Sequence, residues 1–162
     1  MTEDLNNKGD IYFPSYSGTN DNLNILVNRT SQILCEWFSK ADKNGPLPFD
    51  DNFKSIMPEE DGNSAEDLFS EIESLLNNSF NPVHPGSLAH LDPPPLIFSI
   101  LGDLIAAGLN NNLLAYELSP SLTLLEESLC KWFAKKIGFN DSSGGIAASG
   151  GTLSNLLSLI HI

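Results

Sequence analysis

Between Ser119 and Gly138 the apolar residues Leu122, Leu125, Leu129, Trp132, Phe133 and Ile137 recur at helical spacing, and this stretch constrains the fold most. Ser119-Pro120 opens it with an N-cap hydroxyl and a proline at the first helical position. Glu126 and Glu127 lie nearer its start and Lys131, Lys135 and Lys136 crowd its end, as the helix dipole favours. Gly138 supplies a left-handed stop. The spacing predicts a helix with these six apolar residues as its buried stripe. After a loop from Asn140 to Gly144, Gly145-Ile146-Ala147-Ala148-Ser149 reads as a short buried strand. Gly150-Gly151-Thr152 then turns it into a helix beginning Leu153-Ser154-Asn155-Leu156.

The preceding residues read as helical with irregular joints. Residues 1–20 are polar and predict a loose arm. Leu23, Leu26, Val27, Thr30, Ile33, Leu34, Trp37 and Phe38 predict a helix ending near Lys40, before the breaker Asn44-Gly45-Pro46-Leu47-Pro48. Phe49 to Gly62 is acidic and reads as irregular. A second helix starts at Ser64, with Asp67 in a capping-box position and Leu68, Phe69, Ile72, Leu75 and Leu76 as its apolar face. His84-Pro85-Gly86-Ser87 suits no regular element. Pro93-Pro94-Pro95 introduces a helix carrying Leu96, Ile97, Ile100, Leu101, Leu104, Ile105 and Leu109, and Asn110-Asn111-Asn112 closes it or marks a turn. A lone strand has no partner for its backbone groups, so a mostly helical front followed by one strand–helix unit points to an accessory segment leading into a larger α/β domain.

Composition removes several function classes. Eight basic and 21 acidic side chains give a net charge of −13, which repels phosphate backbones and anionic lipid. No apolar run approaches the ~20 residues of a membrane span, and the N-terminus carries no signal peptide. Nucleic-acid and membrane roles are therefore not expected, and the chain reads as cytoplasmic. Cys35 and Cys130 sit in apolar helical patterns without zinc spacing and read as buried thiols; no metal is expected. Trp37, Phe38, Trp132 and Phe133 read as core.

Chemistry concentrates at two places. At Ser149-Gly150-Gly151-Thr152, glycines let a backbone approach an anion, the new helix offers free N–H groups, and Thr152 adds a hydroxyl. The four residues fit a phosphate cradle without a lysine, and equally a tight turn with no ligand. The second place is His84-Pro85-Gly86-Ser87-Leu88-Ala89-His90-Leu91-Asp92-Pro93-Pro94, where an imidazole and a carboxylate could line a polar pocket. It also fits a prolyl-rich structural linker, and two histidines six apart make a poor metal motif. Nothing fixes a Ser-His-Asp geometry.

In order along the chain, His84-Pro85, His90-Leu91-Asp92-Pro93-Pro94, Asn111-Asn112-Leu113, Glu117-Leu118-Ser119-Pro120, Thr123, Leu125-Glu126, Trp132, Ser149-Gly150-Gly151-Thr152 and Asn155 resemble the group II pyridoxal-phosphate decarboxylases. The resemblance covers roughly residues 80–156. It implies an α/β fold of the type I aminotransferase class, of which these residues hold the helical N-terminal segment and the start of the large domain. It implies a homodimer, pyridoxal 5'-phosphate as cofactor, and decarboxylation of a small L-amino acid to an amine and carbon dioxide. Carried over by position, Gly150, Gly151 and Thr152 would hold the cofactor phosphate. His90, Leu91, Asp92 and Pro93 would form the substrate-side loop, and Asn112 and Leu114 would reach the partner subunit's site. His90 and Leu91 stand where aromatic decarboxylases carry aromatic residues, and Asp92 would suit an extra amine, as on a diaminobutyrate-like acid. The family's Schiff-base lysine, ring-nitrogen aspartate and stacking histidine all lie past the strand–helix junction. No catalytic residue is therefore assigned here, these residues alone are expected to be inactive, and Lys131, Lys135 and Lys136 belong to a solvated helix end.

The expected organisation is an arm (1–20), a helical dimerisation and substrate-loop segment (21–118), the start of the cofactor-binding domain (119–156) and an anomalous end (157–162). Two rival readings are a non-catalytic helical dimerisation module derived from such an enzyme and a small anion-binding protein sharing the Gly-rich turn. Leu157-Ser158-Leu159-Ile160-His161-Ile162 equals one reading frame of CTGTCTCTTATACACATC, a transposon end used in sequencing libraries. The expectation is adapter sequence, with no function for His161. Sequencing the source locus past Leu156 should give codons unlike these. A genuine stop after the same codons would sink the idea.

Overall fold

The computed structural model describes residues 13, 14, 16, 18–46, 64–88, 91 and 93–162. The expected arm lies mostly outside the described residues, and so do the acidic stretch Phe49 to Gly62, His90 and Asp92. The chain divides into two compact units, 1–95 and 96–162.

In the first unit, α1 (Asp21–Ser39) is followed by the short α2 (Ala41–Asn44) and by α3 (Ala65–Asn77). The apolar spacing of α1 turns Ile33 into the core, and α3 answers with Phe69; both are buried. Ser64 and Asp67 form the expected capping box: the Ser64 hydroxyl accepts from the Asp67 N–H at 3.1 Å, and the Asp67 carboxylate accepts from the Ser64 N–H at 3.3 Å. At the other end of α3, Asn78 Nδ2 donates to the Ser74 carbonyl and Ser79 Oγ to the Leu75 carbonyl, satisfying two of the last acceptors. Arg29 and Glu73 pair across the two helices at 3.4 Å in an exposed position, a contact of little energetic weight.

Asn81 ties the breaker segments together. It is buried, its N–H donates to the Pro46 carbonyl at 2.9 Å, and its Oδ1 accepts from the Val83 N–H. Its own carbonyl accepts from the His84 N–H and the Ser87 hydroxyl. The turn Val83–Ser87 is therefore held by polar contacts that a buried amide has to make.

The second unit holds α4 (Ile97–Leu109), a 3-10 turn (Tyr116–Leu118), α5 (Pro120–Lys136) and α6 (Gly151–His161). Asn110, left-handed at φ 44°, ends α4. Gly138, at φ 89°, ends α5 with paired bonds: its N–H donates to the Lys135 carbonyl and the Phe139 N–H to the Ala134 carbonyl.

Four expectations are corrected. Gly145–Ser149 forms no strand, because no second strand exists among the described residues to accept its ladder. The stripe of α5 is not buried: Leu125, Leu129, Trp132, Phe133 and Ile137 are all half-exposed or more, Leu122 is half-buried, and only Ala134 of this helix is in the core. A stripe needs a facing surface, and what packs against α5 here is the short 3-10 turn and the Gly145–Ala147 segment. For the same reason Trp132 and Phe133 are surface aromatics here, while Trp37 and Phe38 are half-buried. The cysteines are free, but Cys35 is exposed and Cys130 half-buried. Finally, Ser119 occupies the N-cap without using its hydroxyl: Oγ is buried, 1% exposed, and has no hydrogen-bond partner.

Two serines at helix starts should thus respond differently. Ser64→Ala should cost about 1 kcal/mol in denaturant unfolding through the lost cap. Ser119→Ala should be neutral or stabilising, because it removes a buried polar group that makes no bond. Equal losses at both positions would contradict the difference.

Candidate functional site

The Gly-rich turn is positioned by three successive devices. The paired bonds at Gly138 stop α5. Asn140 then gathers the loop, its Oδ1 accepting from the Ser142 N–H at 3.1 Å and from the Ser142 and Ser143 hydroxyls at 2.6 and 3.1 Å. Next, the chain runs back along α5: Glu126 Oε1 accepts from the Ala147 N–H at 2.7 Å. Gly145 lies so close to the helix that a Cβ there would sit 3.0 Å from the Cys130 Cβ. This backbone contact replaces the strand pairing that the sequence predicts.

From Ser149 the chain turns into α6, whose N-cap is Gly150. The Gly150 carbonyl accepts from the Ser154 N–H and hydroxyl, so the helix is closed from its first turn. No side chain caps it. The N–H groups at its start point along the axis without a side-chain acceptor, and among the described residues the Ser149 and Thr152 hydroxyls bond nothing in the chain. All of 149–152 is exposed, and no charged residue occurs from Ser142 to Ile162. Gly150 and Gly151 are not demanded by the fold. Neither has a left-handed φ, and a Cβ at either would meet nothing within 4 Å. The donor set, two hydroxyls and open helical N–H groups that no carboxylate of the chain bonds, fits a phosphate monoester.

The remaining residues singled out from sequence are placed as follows. Leu91 and Pro93 are exposed in the first unit, with Leu91 at 97%. Asn112 and Leu114 belong to the second unit and form one small turn, the Asn112 Oδ1 accepting from the Leu114 N–H at 3.0 Å, with Leu114 91% exposed. His84 is committed to its own turn, because its Nδ1 accepts from the Gly86 N–H at 2.8 Å. Glu117 lies exposed in the 3-10 turn. Lys131 hydrogen-bonds Glu127 one turn away, which holds that exposed carboxyl below its ordinary range, and Lys136 lies 5.5 Å over the Trp132 ring. A shallow cleft between α1 and α3, with Trp37 and Leu76 beside Glu36, Lys40 and Glu73, offers about 80 Å³. That is well below the ~300 Å³ at which ligand pockets begin. Among the described residues, no helix is long and apolar enough to cross a membrane.

The contact that the sequence reading missed is Glu126–Ala147. A signal for it exists: one turn away Glu126 has only Leu122 and Cys130, so it lacks the cation that Glu127 finds in Lys131.

Residues 51–162 match the pyridoxal-dependent decarboxylase conserved domain. The L-2,4-diaminobutyrate decarboxylase of Acinetobacter baumannii is 32% identical over 107 residues, 65% of this chain and 21% of that enzyme. The L-aspartate decarboxylase dtxS4 of Metarhizium robertsii is 29% identical over 116 residues, 71% of this chain and 23% of that enzyme. The glutamate decarboxylase domain of a diaminobutyrate-pyruvate transaminase and L-2,4-diaminobutyrate decarboxylase from Vibrio parahaemolyticus shares the fold, with a TM-score of 0.82 at 21% identity over 94% of this chain and 35% of that one. The chain spans about a fifth of the length of the curated relatives it matches. It belongs to the pyridoxal-dependent decarboxylase family, amino-acid lyases whose cofactor is pyridoxal 5'-phosphate.

Proposed function

We propose that the turn 149–152 holds the phosphate of pyridoxal 5'-phosphate in a protein that decarboxylates a small L-amino acid. The observation that carries this reading is the glycine pair. Neither backbone conformation nor crowding within the chain calls for glycine at 150 or 151. A body outside the chain that must approach the backbone closely does call for it. Gly151 and Thr152 would donate their N–H groups, and the Thr152 hydroxyl a third bond, with the dipole of α6 favouring the dianion. Bound there, the cofactor supplies an electron sink for the pair left when carbon dioxide departs. The residues of this chain bind and orient it by its phosphate. The α5 lysines take no part, since they lie on an exposed helix end.

The substrate side would fall to His90, Leu91, Asp92 and Pro93, with Asn112 and Leu114 contributed across a homodimer. The diaminobutyrate decarboxylase among the relatives supports a substrate carrying a second amine, for which the Asp92 carboxylate is suited. The apolar surface of α4, where Ile97, Phe98 and Ile105 are all exposed, supports burial against further protein, as a dimer requires. Within this reading, 21–118 is the helical segment and 119–156 the beginning of an α/β cofactor domain.

Absorbance titration with pyridoxal 5'-phosphate tests the site. Thr152→Val should weaken binding about tenfold or more, since a charge-assisted hydrogen bond contributes about 1.5–3 kcal/mol, and Gly151→Val should do the same by placing a side chain where the phosphate approaches the backbone. The melting temperature should change little, because a side chain at 151 meets open space. Unchanged affinity in both variants would refute the assignment.

A further inference from the structure

Glu126 does something unusual for a helix carboxylate: it accepts a backbone N–H from a segment 21 residues away. Its neighbour Glu127 does the ordinary thing and pairs with Lys131. An ionised acceptor makes a stronger bond to a peptide N–H than a neutral one. This bond also lies just before the cofactor turn, with Ala148 alone between Ala147 and Ser149.

A second contact fixes the same segment. Gly145 touches Cys130, and Cys130 follows Glu126 by one helical turn on the same face. One turn of four residues rises about 6 Å. Two residues of extended chain span about 6.6 Å. The steps match, so Gly145 at Cys130 and Ala147 at Glu126 can be engaged together, with the segment running antiparallel to α5. Gly145 permits the steric contact and Glu126 sets the polar one. A slip of one residue either way would move the carboxylate off the Ala147 N–H, and the slip that puts Ile146 at Cys130 would also bring a Cβ against it.

We propose that Glu126 is a positioning residue for the cofactor phosphate: through Ala147 it fixes the register of Gly145–Ala148 on α5, and thereby where Gly150, Gly151 and Thr152 present their donors. The proposal rests on the assignment of the phosphate to that turn. What Glu126 supplies is an acceptor in the right place. Its negative charge is of no help to a phosphate, so glutamine should serve in its stead.

The experiment uses protein from the complete reading frame containing this chain, with two ligands, pyridoxal 5'-phosphate and phosphate-free pyridoxal, and with amide hydrogen exchange of the cofactor-free protein. Glu126→Ala should weaken pyridoxal 5'-phosphate binding about tenfold, the scale of one hydrogen bond lost. It should leave pyridoxal binding unchanged and release the Ala147 amide to exchange. Glu126→Gln should restore both the affinity and the protection. Should Glu126→Ala not fold, Gly145→Ala carries the test, since its Cβ pushes the same segment off Cys130 and should give the same phosphate-specific loss. Wild-type affinity in Glu126→Ala or Gly145→Ala overturns the proposal, as does a Glu126→Gln protein as weak as the alanine variant. Thr152→Val run in parallel separates the two claims. If it weakens binding while Glu126→Ala does not, the positioning role alone fails. If neither it nor Gly151→Val has any effect, the phosphate assignment fails and this inference with it.

Discussion

The amide of Ala147 needs an acceptor, and much of the second unit follows from where it finds one. No strand among the described residues can take it, so the carboxylate of Glu126 does, and the segment after Asn140 folds back along α5 instead of running free. That return decides where Ser149 to Thr152 emerges and hence where α6 begins. The stop at Gly138 and the Asn140 loop make the return sterically possible, and Gly145 lets it come close. A turn is only as well placed as the backbone leading into it, and here that backbone is held by two contacts on one helical face.

The first unit solves a similar problem with an amide in place of a carboxylate. Asn81 is buried between two breaker segments, where any unpaired polar group is expensive. Val83 is tied to its side chain, and Pro46, His84 and Ser87 to its backbone groups, so one residue holds all four. Both units therefore fix irregular chain by polar contacts to named residues, while much of their apolar surface stays open to further protein.

What could be read from sequence was whatever depends on neighbours along the chain. Ser64 and Asp67 are three apart, so the capping box was visible, as were the left-handed stop at Gly138 and the closing of α4 at Asn110. Apolar spacing located α1, α3, α4 and α5 because helical periodicity is local, and the Gly-rich turn announced α6. What depends on contacts distant in sequence was not visible. Ser119 has the right residue type and position for a cap, yet its side chain is buried without a partner, which only the surrounding packing decides. The stripe of α5 was correctly identified as apolar, but spacing says which face is apolar and not what covers it. Ala147 read as a strand residue because short apolar runs favour that state, and although Glu126 lacks a cation one turn away, nothing near it in sequence names the N–H 21 residues later as its partner. The Gly-rich turn into α6 was legible in its residue types. The glycine pair's lack of any internal necessity required the three-dimensional surroundings.

The most direct measurement is a crystal structure of the protein from the complete reading frame, grown with pyridoxal 5'-phosphate. The account predicts phosphate oxygens within hydrogen-bond distance of the Thr152 hydroxyl and of the Gly151 and Thr152 N–H groups, with the Ala147 amide still on Glu126. A cofactor bound with its phosphate elsewhere, and the start of α6 facing only solvent, would contradict it.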